Sequence, residues 1–136
     1  MDDEGPIRKI IKDQETHWNT GNAHRYCLHL GQDATLTNMF GATYTGHEQI
    51  EEHLAEVLST VFKKTRISMK VQNIRFVRAD VAMVDIDTEL SGYATLPSGL
   101  HGAADGKLRT RLLEVIVKEQ FDWAVFALYD VDIKTP

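Results

Sequence analysis

The chain lacks most of the features by which a sequence announces a compartment, a cofactor or a nucleic-acid partner. It has one cysteine, Cys27, in 136 residues. That excludes an internal disulfide and any multi-cysteine metal site. No apolar run approaches the roughly 20 residues that a membrane-spanning helix needs, so no membrane partner is expected. The opening Met-Asp-Asp-Glu-Gly-Pro is acidic and has no apolar stretch, which fits neither a secretory signal nor a transit peptide. Together these point to the cytoplasm. Positive charge is also scarce. The 15 Lys and Arg face 20 Asp and Glu, for a net charge of −5. The densest basic spot, Lys63-Lys64 with Arg66, is matched by acidic residues nearby. A nucleic-acid binder gathers its positive charge on one face, so no such partner is expected.

Cofactor and metal signatures are missing as well. There is no Gly-x-Gly-x-x-Gly after a strand, no phosphate loop and no Gly-x-Ser-x-Gly, and Gly99 to Gly106 has the wrong spacing. No cofactor is expected. The six histidines, at 17, 24, 29, 47, 53 and 101, form neither His-x-His nor His-Glu-x-x-His, so no metal site is expected. Cys27 falls within a helical pattern and reads as a small core residue.

What the sequence does have is a core. An apolar fraction of 43% over this length suits one domain spanning residues 1–136. Pro6, preceded by Asp2, Asp3 and Glu4, suits a first helical turn. Ile7, Ile10, Ile11, Gln14 and Trp18 then recur at helical spacing up to Gly21. A second helix is expected from Asn22, burying Ala23, Tyr26, Cys27 and Leu30 and stopped by Gly31. A strand follows from Ala34 to Phe40, with a short extended piece reaching Tyr44. Thr45 and Glu48 match a capping box for a third helix with Ile50, Leu54, Val57, Leu58 and Val61 on one face. From Ile67 the period changes to two. Segments near 67–78, 80–93, 106–119 and 122–134 read as long strands, and their short connections imply antiparallel hairpins. Helices first and a strand meander after make an α+β fold.

Several segments carry a family resemblance over essentially the whole chain. They are Trp18-Asn19-Thr20-Gly21-Asn22, Gln32-Asp33-Ala34-Thr35, Tyr44-Thr45-Gly46-His47-Glu48-Gln49-Ile50, Val115-Ile116-Val117-Lys118 and Trp123-Ala124-Val125-Phe126-Ala127. The chain resembles the nuclear transport factor 2-like superfamily, and within it the SnoaL-like, ketosteroid isomerase-like proteins of the SgcJ/EcaC branch. That resemblance implies a cystatin-like half-barrel. A cone-shaped, curved antiparallel sheet would have its concave face covered by three helices from the N-terminal half. It also implies a pocket between sheet and helices and a homodimer through the outer sheet face. Isomerases, cyclases, dehydratases and transport factors share this fold, so the fold alone selects no activity. Two departures matter. The steroid isomerases carry a carboxylate base where this chain has Asn38, and an oxyanion-binding tyrosine where it has Gln14. An amide cannot take a substrate proton at neutral pH, so that mechanism does not carry over.

The remaining candidates have two readings each. His53, between Ile50 and Val57, is either a partly buried histidine satisfied by a neighbour or an acid/base group in the pocket. Trp18 and Tyr26 are either core or aromatic pocket wall. Asn38 shares strand parity with Leu36 and Phe40 and needs hydrogen-bond partners if buried. In the last strand, alternation puts Trp123, Val125, Ala127, Tyr129 and Val131 on one face and Ala124, Phe126, Leu128 and Asp130 on the other. Only one of Tyr129 and Asp130 is then expected to face the cavity. Asp85, Asp87 and Glu89 opposite Arg109 and Arg111 read as a salt-bridge ladder or a polar part of an interface, rather than a metal site. The leading expectation is a small-molecule-binding domain for a moderately apolar ligand lined by Trp18, Tyr26, Asn38, Phe40, His53 and Tyr129. The alternative is an isomerase, cyclase or dehydratase that abstracts a proton next to a carbonyl, with His53 or Asp130 as the base.

Overall fold

The computed structural model describes residues 3–133. In chain order the elements are α1 (Glu4–Asn19), α2 (Ala23–Tyr26), β1 (Leu30–Thr37), β2 (Thr43–Thr45), α3 (His47–Ser59), β3 (Arg66–Arg78), β4 (Val81–Ser91), β5 (Leu108–Glu119) and β6 (Asp122–Asp132). The six strands form one sheet in the order β2-β1-β6-β5-β4-β3. The meander from β3 to β6 is antiparallel, as the short connections implied. β1 then joins β6 in parallel, so the sheet is mixed rather than wholly antiparallel. The physical reason is the crossover: β6 comes back beside β1 only after the intervening β2, α3, β3, β4 and β5.

The amphipathic patterns bury as their spacing predicts. Ile7, Ile10, Ile11, Gln14 and Trp18 are the buried residues of α1, and Ile50, Leu54 and Leu58 those of α3. In β4 the inward residues Ala82, Val84, Ile86, Thr88 and Leu90 alternate with half-exposed ones. Three expectations need correction. The second helix is a single turn, with Asn22 as its N-cap accepting from the Arg25 N–H at 3.0 Å. Leu30 and Gly31 already belong to β1, because the Val125 N–H reaches back to the His29 carbonyl and starts the β1–β6 ladder there. Thr45 and Glu48 form no capping box. Gly46, at φ 94°, holds the N-cap position, and the Thr45 N–H donates to the Gln49 Oε1 instead.

β6 breaks the simple alternation. Val115 pairs with Ala127 but its neighbour Ile116 pairs with Val125, so Phe126 is an extra residue in the ladder. A β-bulge of this kind shifts side-chain parity by one. Trp123 and Val125 point inward before it, and Leu128 and Asp130 after it, while Phe126, Tyr129 and Val131 are exposed.

The α1 helix also closes one edge of the sheet. Edge strand β3 leaves backbone groups without a ladder partner. The Ile67 N–H donates to Asn19 Oδ1 at 2.6 Å and Asn19 Nδ2 donates to the Ile67 carbonyl at 3.0 Å. One turn earlier, Glu15 Oε2 accepts from the Met69 N–H at 2.8 Å. Replacing Asn19 by Ala leaves both Ile67 groups half-buried and unpaired. We expect a loss of about 1–3 kcal/mol in chemical denaturation; a loss below about 0.5 kcal/mol contradicts this role for the amide.

Candidate functional site

A cavity of about 260 Å³ lies between the inner sheet face and the helices. Its walls include Leu36 from β1, Met69 from β3, Thr88 and Leu90 from β4, Thr110 and Leu112 from β5, and Leu128 and Asp130 from β6. In a flat sheet β1 and β3 stand four strand spacings apart, about 19 Å. Both border this one small cavity, so the sheet must curve around it. Trp18, Tyr26, Leu54, Val57 and Phe62 line the helical side, and Asn38, Phe40 and Pro97 the loops.

The aromatic wall is interlocked. Trp18 meets Tyr26 edge-on with ring centroids 6.0 Å apart, and Phe62 lies at the same distance on a tilted plane. The Trp18 Nε1–H donates to Thr65 Oγ1 at 3.1 Å, which fixes the indole. Asn38 also lines the cavity, but its Oδ1 accepts from the Phe40 and Ala42 N–H groups, both at 3.0 Å. Its oxygen therefore shapes the β1–β2 turn. His53 stacks on Tyr44 with centroids 4.0 Å apart. Burial holds its imidazole below the ordinary value, against an opposing pull from Glu56, and so favours the neutral ring.

Among the described residues Asp130 is the one carboxyl on the cavity wall, and no lysine or arginine lines it. Its Oδ1 is closed off from solvent and has no partner among the described residues. Burial pushes its pKa up to about 6, opposed by a hydrogen bond from Thr110. Thr110 Oγ1 also shares a bond with Thr88 Oγ1. With the Thr110 proton committed to Asp130, Thr88 must donate to Thr110. The result is a short chain of hydroxyls ending on the carboxylate. Tyr129, expected as lining, is 47% exposed on the opposite face and does not border the cavity. The Phe126 bulge is the cause.

Behind the cavity lies a residue that sequence reasoning missed. Glu114 has 0% exposure and accepts one hydrogen bond, from Gln14 Nε2 at 3.1 Å. Its Oε2 and the Oε1 of Gln14 are both buried without partners. Burial pushes its pKa up to about 8, opposed by the Gln14 bond, with a smaller upward push from Asp130. A neutral acid facing an amide suits this pairing. Tyr26, held well above the ordinary phenol value by burial and by Glu114, adds no compensating charge. The signal was legible: Glu114 shares strand parity with Leu112 and Ile116.

The other polar rows pair among themselves. Arg111 Nε meets Asp87 Oδ1 at 2.9 Å and Arg109 Nε meets Glu89 Oε2 at 2.7 Å, across directly opposed β4 and β5 positions. Burial pushes the Cys27 thiol up to about 12, which leaves it without thiolate character at neutral pH. Among the described residues no group of three or more His, Cys, Asp or Glu is placed to hold a metal ion. No helix among them is long and apolar enough to cross a membrane.

Comparison with known proteins identifies the fold. No family model matches the chain, and no curated protein matches it significantly. Solved structures do. A domain of unknown function with a cystatin-like fold from Nostoc punctiforme superposes with a TM-score of 0.81 at 22% identity, over 98% of this chain and 78% of that one. A ketosteroid isomerase-like protein from Erwinia carotovora atroseptica gives 0.77 at 16%, over 99% and 100%. A type 2 hexachlorocyclohexane dehydrochlorinase gives 0.78 at 17%, over 96% and 85%. The chain thus has the α+β, cystatin-like fold of nuclear transport factor 2-like proteins. At these identities the likeness concerns the fold alone.

The Glu114 environment has a consequence for stability. Its folded pKa, about 8, lies above the ordinary 4.5. The unfolded chain therefore loses this proton first as pH rises, and the folded state loses relative stability between those two values. We expect unfolding free energy to fall by a few kcal/mol, as an order of magnitude, from about pH 5 to pH 8. Glu114→Gln, which keeps an amide partner for Gln14, should remove most of that slope. An unchanged slope in denaturation curves contradicts a neutral, buried Glu114.

Proposed function

We propose that the protein binds a small, moderately apolar molecule in this cavity, with Asp130 as the polar anchor. The carrying observation is that, among the described residues, a lone carboxyl stands on a wall otherwise built from aliphatic and aromatic side chains and a few hydroxyl, amide and imidazole groups. Apolar pockets with a few convergent polar groups are the usual form of small-molecule sites. Trp18, Tyr26, Phe40 and His53 supply much of the remaining lining. The quoted sequence segments favour the SgcJ/EcaC branch, and a single cysteine buried as a free thiol suits the reducing cytoplasm. A ligand panel followed by amide NMR tests the reading: ligands should perturb Trp18, Leu112 and Asp130 together. Val57→Phe, which fills space at the helical wall, should weaken binding at least tenfold while the fold persists. Undiminished binding by that variant places the ligand elsewhere.

A second reading is proton transfer next to a carbonyl or similar activating group. It is favoured by the Asp130 pKa of about 6, which suits a general base near neutral pH. Similar folds in a ketosteroid isomerase-like protein and a dehydrochlorinase support the same class. Asp130 would be the base, with neutral His53 as the other acid/base group. Against any substrate found, Asp130→Asn should lower kcat by a factor of at least about 10². Normal turnover by both Asp130→Asn and His53→Ala rules this reading out.

We further propose a homodimer through the outer sheet face. Val131, Phe126 and Tyr129 are 62%, 50% and 47% exposed there, and clustered apolar exposure marks interaction surfaces. Light scattering should report a dimer, and Tyr129→Lys with Phe126→Glu should yield monomers. A wild-type monomer at high concentration contradicts the proposal.

A further inference from the structure

The charge pattern around the cavity points to a ligand class. We propose that the cavity takes a small lipophilic amine, held as its ammonium form beside the Asp130 carboxylate and against the aromatic wall. This rests on the reading of the cavity as a binding site. Asp130 is the carboxyl on the wall, and Glu114 behind it, kept neutral by burial, adds no positive charge. Among the described residues no lysine or arginine lines the cavity to balance Asp130. The groups that interact with Asp130 are the Thr110 hydroxyl on β5, Glu114 on the same strand, the Tyr26 phenol on α2 and Asp132 further along β6, and His53 on α3, which also lines the cavity, is held toward its neutral form by burial. None of them is cationic. The potential inside is therefore negative.

Ligand classes then separate by elementary electrostatics. A carboxylate or phosphate would meet like charge in a desolvated space, which is strongly unfavourable. A neutral hydrocarbon would strip water from Asp130 and leave its charge uncompensated. An ammonium supplies the missing charge, and its N–H groups can donate to the carboxylate. Trp18, Tyr26, Phe40 and Phe62 add π faces that attract cations further. The Thr88–Thr110 chain reinforces this choice, since it donates toward Asp130 and so favours the ionised carboxylate. At about 260 Å³ the cavity is below the roughly 300–1,000 Å³ of drug-sized pockets. One or two rings with a short aminoalkyl arm suit that space.

A matched series tests the proposal by calorimetry on the full chain at pH 7.5. The probes are 1-naphthylmethylamine, 1-naphthalenemethanol and 1-naphthoate, which share one ring system and differ in charge. The amine should bind at least tenfold tighter than the alcohol, and the naphthoate should bind at least tenfold more weakly than the alcohol. Asp130→Asn should erase the amine's advantage, so that amine and alcohol bind within threefold of one another. Should that variant fail to fold, the wild type at pH 5 serves instead. There the amine stays cationic while Asp130, with its pKa of about 6, is mainly protonated, so the advantage should shrink several-fold. If alcohol and amine bind equally, or naphthoate binds best, the amine class is overturned and the cavity remains a ligand site. If none of the three binds, both the amine class and the binding reading fall.

Discussion

The extra residue in β6 is the constraint on which the rest of the site depends. Without the bulge at Phe126, alternation from Trp123 and Val125 would carry Tyr129 inward and Asp130 to the outer face. The bulge reverses that parity midway along the strand. Leu128 and Asp130 then join the cavity wall, while Tyr129 and Val131 join the outer face with Phe126. One insertion thus produces both the polar centre of the cavity and the apolar surface on the other side of the sheet. Bulges often re-aim side chains next to functional sites, and this one has that effect.

Within the interior, two acids are treated differently by their surroundings. Asp130 receives a hydroxyl hydrogen bond, which offsets part of the cost of burying its charge. Glu114 is more enclosed, has a single amide donor and faces the neighbouring acid. Burial dominates both shifts and is more complete at Glu114, so the proton is held more tightly there. A neutral Glu114 in turn leaves Asp130 as the group that ionises near neutral pH. Gln14 is committed to this arrangement, since its amide donates to the buried acid.

Much of this architecture is legible in the amino-acid sequence. Helical spacing named every buried residue of α1, and period two located the four long strands to within two residues of their observed ends. Local pattern was less informative where a tertiary partner competed. The second helix reads on through Leu30 by composition, yet the β6 edge claims that residue for the sheet. Thr45 and Glu48 have the right spacing for a cap, but Gly46 takes a left-handed backbone between them and the cap is lost. The site was legible in part. Trp18, Tyr26, Phe40 and His53 all line the cavity, whereas Tyr129 against Asp130 could not be decided by parity, because a bulge leaves no mark in alternation. Glu114 was visible as a charge among apolar inward positions and needed only to be weighed.

The account turns on Asp130 being an inward carboxyl in a desolvated, negative cavity. Its side-chain carboxyl carbon, followed by NMR as pH is varied, reports that environment directly. The account predicts a titration midpoint near 6. A midpoint at or below the ordinary aspartate value of about 3.9 contradicts it.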